Sequence, residues 1–324
     1  MSDFVIVDAH LHLWEKQDGC VNNLPVKGLG NGKSTFLGGV HQMMPPYMED
    51  NRNTAERLIA NMDYACVNAC AVTQEYLDGN QDEYLLKVKE KYPDRFRITA
   101  LYEDEGYIED RKEIGLEVRN SDETYEKTYE KTDLGAINKY LDKFDGVKIC
   151  ACRLKNKDLM AHIDIFKKVE AAGKYISIDM ADGDEQVESL QKVVDECQNL
   201  RIAIGHFGMV TTPGWQKQIE LAKNKNVYIE SGGLTWLFHK EFYPYPSAID
   251  AILEAKTICG IDKLMWGSDY PRTMTDITYK SAVRFILDST KLTDEDKAKF
   301  LGENAVKFYG FEGLKPMLFI DNML

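Results

Sequence analysis

Two histidines near the N-terminus, His10 and His12, have the spacing of a metal-binding pair. They end an apolar run that begins at Phe4, and side chains two positions apart at the end of a strand project to the same side. Two imidazoles placed in this way can bind one metal ion. The alternative is two polar residues at a strand end, because motifs this short often occur by chance.

Two more potential ligands follow apolar runs later in the chain. His206 ends the run 202–205, and Asp269 ends the run 264–268. A zinc ion with histidine and carboxylate ligands and one open position lowers the pKa of bound water to about 7, which suits hydrolysis. We therefore expect a divalent metal ion as cofactor, zinc first and manganese second, with Asp269 as the general base.

These ligands need a scaffold, and the rest of the chain indicates one. Apolar runs alternate with helical patterns, and each run is continuous, which is typical of parallel strands buried on both faces. The eight runs are 4–9, 68–74, 96–102, 145–150, 175–180, 200–206, 226–230 and 263–268. The eight helical patterns are 54–65, 83–92, 134–144, 161–172, 184–197, 215–224, 247–259 and 275–288. Together they predict an α/β fold, a (β/α)8 TIM barrel, whose active site lies at the carboxyl ends of the strands.

Three segments fall outside this repeat. Residues 14–50 are rich in glycine and proline and follow the first strand, so we expect a long loop over the active site. Residues 103–132 follow the third strand and are highly charged, which favours a solvated excursion, with a lid or a subunit contact as alternatives. Residues 293–310, with Thr293 as the predicted N-cap, are expected to form an extra C-terminal helix on the outside of the barrel.

Composition limits the class of protein. A chain of 324 residues with 44% hydrophobic content can form one large domain, 1–324. A net charge of −13 argues against a nucleic-acid partner. The first apolar run is only about five residues long, far below the roughly 20 that cross a membrane. Seven cysteines, an odd number spread along the chain, indicate reduced thiols and a cytoplasmic location. The sequence leaves open whether the protein forms a homo-oligomer.

Short motifs accompany the potential ligands in a fixed order. They are DAHLH at 8–12, NMD at 61–63, YPDRF at 92–96, GVK at 146–148, GHFG at 205–208, GSDYP at 267–271 and GENA at 302–305. With these motifs the chain resembles the amidohydrolase superfamily over nearly its whole length. The similarity is to the amidohydrolase-2 branch, which includes aromatic-acid decarboxylases and lactonases. The resemblance implies that His10 and His12 on the first strand, His206 on the sixth and Asp269 on the eighth form the metal site.

The fifth strand departs from the pattern of that family. Many members carry a further metal-binding histidine there, whereas residues 175–180 read YISIDM. Asp179 then replaces the imidazole as an oxygen ligand, or fewer groups hold the ion, or the site is metal-free, as in some lactonase relatives. If Asp179 is a ligand, His206 is expected to polarise the substrate carbonyl instead of binding the metal. The departure favours the hydrolytic members over the decarboxylases.

Polar side chains at the other strand ends indicate what the site binds. Lys148 and Arg153 flank the end of the fourth strand, and Arg272 follows the eighth. These cations are expected to receive a small polar or anionic cyclic substrate. Gln74 ends the second strand and Glu230 the seventh, so both are expected to bind its hydroxyl groups.

The sequence therefore predicts a metal-dependent hydrolase of a small cyclic substrate. The bond opened is a lactone C–O bond or a C–C bond of a cyclic ketone or diketone. The first alternative is a non-oxidative decarboxylase or hydratase of an aromatic or unsaturated carboxylic acid, which evolved CO2 distinguishes. The second alternative is a barrel that binds a polar ligand without turnover.

Overall fold

A computed structural model of the chain describes residues 4–21, 24–103 and 141–319. Its strands are β1 (Val7–Leu11), β2 (Asp18–Val21), β3 (Leu24–Gly30), β4 (Lys33–Phe36), β5 (Gly39–Gln42), β6 (Ala69–Val72), β7 (Phe96–Tyr102), β8 (Gly146–Cys150), β9 (Tyr175–Asp179), β10 (Arg201–Ile204), β11 (Val227–Glu230) and β12 (Leu264–Met265). Strands β1 and β6 to β12 lie side by side in chain order, and all of their pairs are parallel.

Backbone hydrogen bonds join the last strand to the first. The N–H of Ala9 donates to the carbonyl of Trp266 at 2.8 Å, and the N–H of Asp269 donates to the carbonyl of His10 at 2.8 Å. Eight parallel strands closed in this way confirm the predicted TIM barrel. The closure also brings the end of β1 beside the segment that carries Asp269.

Helices lie between barrel strands and after the last of them, β12. They are α1 (Ala55–Ala65), α2 (Asp82–Lys91), α3 (Ile163–Ala171), α4 (Val187–Glu196), α5 (Trp215–Glu220), α6 (Leu234–Leu237), α7 (Pro246–Cys259), α8 (Tyr279–Leu287), α9 (Asp294–Ala298) and α10 (Asn304–Tyr309). The helix predicted at 134–144 falls mostly on residues outside the described ranges, as does the charged insertion 103–132. None of the helices in the described ranges is long and apolar enough to cross a membrane.

The barrel strands pack on both faces, as their continuous apolar runs predicted. Ile176 and Ile178 of β9 belong to the outer hydrophobic core, which includes residues of the surrounding helices. Their neighbour Tyr175 belongs to an inner cluster with small residues from other strands, such as Ala71 and Ala203. Both faces of the strands are therefore packed with buried side chains below the active-site end.

The extra C-terminal helix is present, but its position differs from the prediction. Thr293 forms the expected capping box with Asp296, and the chain then runs through α9, a π-helical turn and α10. Phe308 and Tyr309 of α10 pack in the inner cluster, and the Tyr309 hydroxyl donates to the Ala9 carbonyl at 2.9 Å. The segment thus closes the inside of the barrel at the end opposite the site, where its aromatic rings gain more burial than on the outside.

The segment 14–50 is a second correction, because it is largely a folded sheet and not a loop. Strands β2 to β5 pair in antiparallel order. The N–H of Cys20 donates to the Tyr76 carbonyl at 2.8 Å, which attaches the sheet to the loop after β6. At Gly19 a side chain would overlap the carbonyls of Tyr76 and Leu77. The contact with that loop is thus backbone against backbone.

Candidate active site

The histidine pair faces the mouth of the barrel because β1 changes register. Asp8 pairs with Cys70 and Leu11 with Val72, so three steps along β1 match two along β6. Such a bulge re-aims the side chains that follow it. Leu11 packs in the outer core, and the side chains of His10 and His12 on either side of it therefore point inward.

Three side chains converge at the floor of the mouth. The Nε2 atoms of His10 and His12 are 3.3 Å apart. The Oδ1 atom of Asp269 lies 3.1 Å from Nε2 of His12 and 3.8 Å from Nε2 of His10. Metal–ligand bonds of about 2.1 Å in a tetrahedron place neighbouring ligand atoms about 3.4 Å apart. The trio of His10, His12 and Asp269 therefore has the spacing of one face of a metal site.

The other ring nitrogen of each histidine in the trio is already engaged. The Nδ1 atom of His10 lies 2.5 Å from Oε1 of Glu230, and Nδ1 of His12 lies 3.1 Å from the carbonyl oxygen of Thr73. A carbonyl can only accept, so Nδ1 of His12 carries the proton and donates. Partners of this kind fix the ring and leave the Nε2 lone pair for a metal ion. The donor set of the trio thus fits a divalent ion.

His206 is held in the same way but faces a different partner. Its Nδ1 donates to the Gly232 carbonyl at 2.8 Å, and its Nε2 lies 3.5 Å from Oδ2 of Asp179. The other carboxylate oxygen of Asp179 accepts from the fully buried ammonium of Lys148 at 2.6 Å. Asp179 therefore lies beside the trio and is already paired with a cation.

Buried carboxylates dominate the electrostatics of the site. Burial lowers the pKa of His12, but the hydrogen bond with Asp269 and the charge of Glu75 outweigh it and raise the pKa to about 9. Burial likewise lowers the pKa of His206, but the charge of Asp179 raises it to about 10. Burial and the charge of Lys148 keep the pKa of His10 below its ordinary value, against the opposing charge of Glu230.

The acids around the three histidines outnumber the permanent cations paired with them. The carboxylates that act on the histidines are Glu75, Asp78, Asp179, Glu230 and Asp269. Their cationic partners among the described residues are Lys148, bound to Asp179, and Arg153, bound to Glu75. Either protonated imidazoles or a divalent ion can balance the remaining negative charge.

A cavity of about 230 Å³ opens above the trio. Its walls come from the barrel loops and from the small sheet, which contributes Phe36 at the end of β4. Two predicted substrate-binding residues, Arg153 and Arg272, line this cavity. Arg153 donates from Nη2 to Glu75 at 2.8 Å, whereas its buried Nη1 has no hydrogen-bond partner among the described residues.

The structure does not bring the other predicted substrate-binding residues to the surface of this cavity, as far as the described ranges show. Lys148 is fully buried against Asp179. The amide of Gln74 donates to the Thr99 carbonyl at 2.7 Å, inside the protein. Both oxygens of Glu230 are engaged, one by His10 and the other by the N–H of Gly232 at 2.6 Å.

Two residues of the site have backbone conformations that are uncommon for their types. The φ angles are 52° at His206 and 57° at Asp269, in the left-handed region. Such conformations cost free energy and persist where the surroundings enforce them, often at functional sites. His206 lies two residues after the end of β10, and Asp269 lies four residues after the end of β12.

One contact of the site has no signal in the residue pattern. The indole N–H of Trp236 donates to Oδ2 of Asp269 at 2.5 Å. Trp236 lies in α6, six residues after the end of β11, and only the Gly232–Gly233 pair marks a tight turn there. Sequence spacing places Trp236 near the mouth, but it does not indicate which atom its N–H reaches.

Comparison with known proteins gives one family and several structures of the same fold. The family model described as amidohydrolase matches residues 7–311. No curated protein sequence matches the chain. A probable 2-pyrone-4,6-dicarboxylic acid hydrolase from Acinetobacter baumannii, solved with citric acid bound, is 19% identical with a TM-score of 0.65, covering 96% of this chain and 100% of that chain.

Two further structures contain metal ions. An amidohydrolase from Burkholderia multivorans with bound zinc is 14% identical with a TM-score of 0.59, covering 94% of this chain and 99% of that chain. The 5-carboxyvanillate decarboxylase from Novosphingobium aromaticivorans, complexed with manganese and a nitrobenzoic acid, is 18% identical with a TM-score of 0.52, covering 79% and 80%. At these identities the similarity concerns the fold.

Proposed function

The chain belongs to the amidohydrolase family, and from this premise we propose that it is a metal-dependent hydrolase of a small cyclic substrate. Water attacks a carbonyl group and opens the ring at a lactone C–O bond or at a C–C bond of a cyclic ketone or diketone. The observation that carries this proposal is the trio of His10, His12 and Asp269, with three donor atoms within 3.8 Å of one another.

The trio comprises the residues that would hold the metal ion. Zinc is the ion we propose, with manganese as the alternative, and both occur in structures of this fold. When bound, a divalent ion supplies Lewis acidity, which activates water and polarises a carbonyl oxygen. Asp179 is paired with Lys148, so we propose that fewer protein groups hold the ion than in relatives with a histidine on the fifth strand.

Asp269 is the proposed general base. Burial raises the pKa of its carboxyl, but the hydrogen bond with His12 and the charge of His206 hold it well below its ordinary value. The carboxylate is therefore ionised at neutral pH and can accept a proton from water. The hydrogen bond from Trp236 to Oδ2 fixes the orientation of this carboxylate.

His206 and the two arginines supply the remaining interactions. His206, protonated beside Asp179, can donate from Nε2 to the oxyanion that forms when water attacks the carbonyl. Arg153 and Arg272 on the cavity wall suit a carboxylate or another anionic group of the substrate. This arrangement favours a polar or anionic ring over an apolar one.

A substrate panel tests the proposal. Zinc-loaded and manganese-loaded protein would be incubated with sugar lactones, muconolactones and cyclic β-diketones, and acid release would be measured. We expect ring opening of at least one class and a loss of about 100-fold or more in Asp269→Asn. The matched control, Asp262→Asn, removes an exposed carboxylate outside the site and should keep the activity. Absence of ring opening, with CO2 released from an aromatic acid, would establish the decarboxylase instead.

A further inference from the structure

The end of β11 and the residues that follow it contact the site at three points. Glu230 binds Nδ1 of His10, the carbonyl of Gly232 accepts from Nδ1 of His206, and Trp236 donates to Asp269. These residues lie within seven positions of the chain. One short segment thus holds two imidazoles and the proposed general base, although none of its own side chains belongs to the trio.

Trp236 has contacts on two sides. Its indole N–H donates to Oδ2 of Asp269 at 2.5 Å, while Oδ1 of the same carboxylate faces the histidines. The guanidinium carbon of Arg272 lies 4.1 Å from the centroid of the indole ring, within the range of a cation–π contact. The indole is thus in direct contact both with a proposed metal ligand and with a cation on the cavity wall.

The backbone next to Trp236 leaves room for the indole ring. Gly233 has a φ of 78°, and a side chain there would overlap the indole nitrogen of Trp236. Two residues after Gly233, the Thr235 hydroxyl lies 2.5 Å from the Thr273 hydroxyl. This contact joins α6 to the turn that carries Arg272. The glycine makes room for the ring, and the threonine pair keeps the two segments together.

We propose that Trp236 is a positioning residue that links the metal-binding carboxylate of Asp269 to the guanidinium of Arg272. In this arrangement the ion and the anionic group of the substrate are held at a fixed separation. The inference rests on the proposed function, because it assigns the ion to Asp269 and the anion to Arg272.

Two contacts through different parts of one side chain can be removed separately. Trp236→Phe keeps an aromatic face for Arg272 but loses the N–H that Asp269 accepts. Trp236→Leu loses both the donor and the aromatic face. Arg272→Gln removes the cation and leaves the Trp236 to Asp269 hydrogen bond in place. Zinc affinity would be measured by competition with a chromophoric chelator, and benzoate affinity by calorimetry at saturating zinc.

The two affinities should respond differently. We expect Trp236→Phe to weaken zinc binding about 10- to 100-fold, the usual effect of losing a group that orients a ligand. Its benzoate affinity should stay within about threefold of the wild type, because the cation–π contact is kept. Trp236→Leu should weaken both. Arg272→Gln should weaken benzoate binding about tenfold and leave zinc binding unchanged.

Each result decides between specific alternatives. Unchanged zinc affinity in Trp236→Phe, in a wild type that binds zinc, would overturn the inference and leave the proposed function intact. Unchanged benzoate affinity in Trp236→Leu, or no benzoate binding by the wild type, would overturn the link to Arg272. If the wild type binds neither zinc nor manganese, the proposed function is contradicted, and benzoate binding by the two Trp236 variants, measured without metal, still tests the positioning of Arg272.

Discussion

Each imidazole of the site has its Nδ1 held by the protein, while its Nε2 faces another side chain of the site. For His10 the holding group is the buried carboxylate of Glu230. A carboxylate in this role fixes the ring and makes it a stronger ligand than a neutral acceptor would. Glu230 was predicted to bind substrate, but both of its oxygens are engaged, one by His10 and the other by Gly232, so we expect it to act through His10.

Replacing this carboxylate tests that role. In Glu230→Gln the side chain keeps its size but loses its charge, so we expect zinc affinity to fall about 10- to 100-fold. Chelator competition measures the change, with Glu254→Gln on the exposed face of α7 as the control. Equal zinc affinity in the two variants would show that Glu230 is not a supporting group of the metal site.

The two histidines with raised pKa values make the stability of the metal-free protein depend on pH. Their folded-state pKa values, about 9 for His12 and about 10 for His206, lie above the ordinary value of 6.5. The stabilisation from their ion pairs is therefore complete below pH 6.5 and is lost as the pH rises through 9 and 10.

We expect the free energy of unfolding of metal-free protein, measured in urea, to fall between pH 6.5 and 10. In Asp179→Asn, which removes the charge that raises the pKa of His206, the fall should be smaller. A fall of the same size in both proteins would mean that other groups cause it. Zinc binding in the same pH range should release protons, because only a neutral imidazole can bind the ion.

At the scale of elements, the predictable features are those that depend on local pattern. Continuous apolar runs indicated the barrel strands, and strand ends placed His10, His206 and Asp269 at one mouth. The small sheet was not predictable in this way. Its glycines and prolines resemble those of a loop, and its attachment at Gly19 depends on a backbone contact with residues far along the chain.

The α6 segment shows that sequence patterns are also insufficient for contacts between residues that are close together in the chain. A Gly–Gly pair indicates a turn, but only the fold shows that Gly233 makes room for an indole. Gly233→Ala should therefore have two effects. It should destabilise the protein by about 1 kcal/mol or more because of its positive φ, and it should weaken zinc binding by displacing Trp236.

Gly173→Ala is the matched control for this change. Gly173 also has a positive φ, 67°, but a side chain there meets nothing within 4 Å. Both variants should lose stability in urea denaturation, Gly233→Ala more than Gly173→Ala because it also displaces Trp236, and only Gly233→Ala should lose zinc affinity. If both bind zinc like the wild type, the space beside Gly233 does not control the position of Trp236.

At the scale of the whole molecule, the two ends of the barrel differ: one carries the candidate active site, and the other is closed by a helix. The mouth carries the candidate metal-binding side chains, and α10 fills the opposite end with aromatic side chains. The residues that stabilise the barrel interior therefore lie far from the candidate active site. The prediction of an outer helix missed this because a capping motif fixes where a helix begins, not where it packs.

Phe308→Ala tests the closed end. Its side chain is 1% exposed, and its loss should destabilise the protein by about 3–5 kcal/mol through lost burial and the cavity left behind. Phe242→Ala is the control, since its side chain is 93% exposed and its loss should change stability by less than about 0.5 kcal/mol. Urea denaturation measures both, and similar losses would contradict the assigned position of α10. Zinc affinity should be unchanged in either variant.

The small sheet is attached to the barrel by backbone contacts at Gly19 and Cys20 and by the Gln17 amide, which donates to Asp78, whereas its side of the cavity consists of side chains such as Phe36 and Met43. Neither Phe36 nor Met43 takes part in these attaching contacts. We therefore expect a mutant library restricted to Phe36 and Met43 to change which ligands the cavity accepts while His10, His12 and Asp269 stay in place. If the proposed function holds, a new substrate range would require the exchange of only a few wall residues.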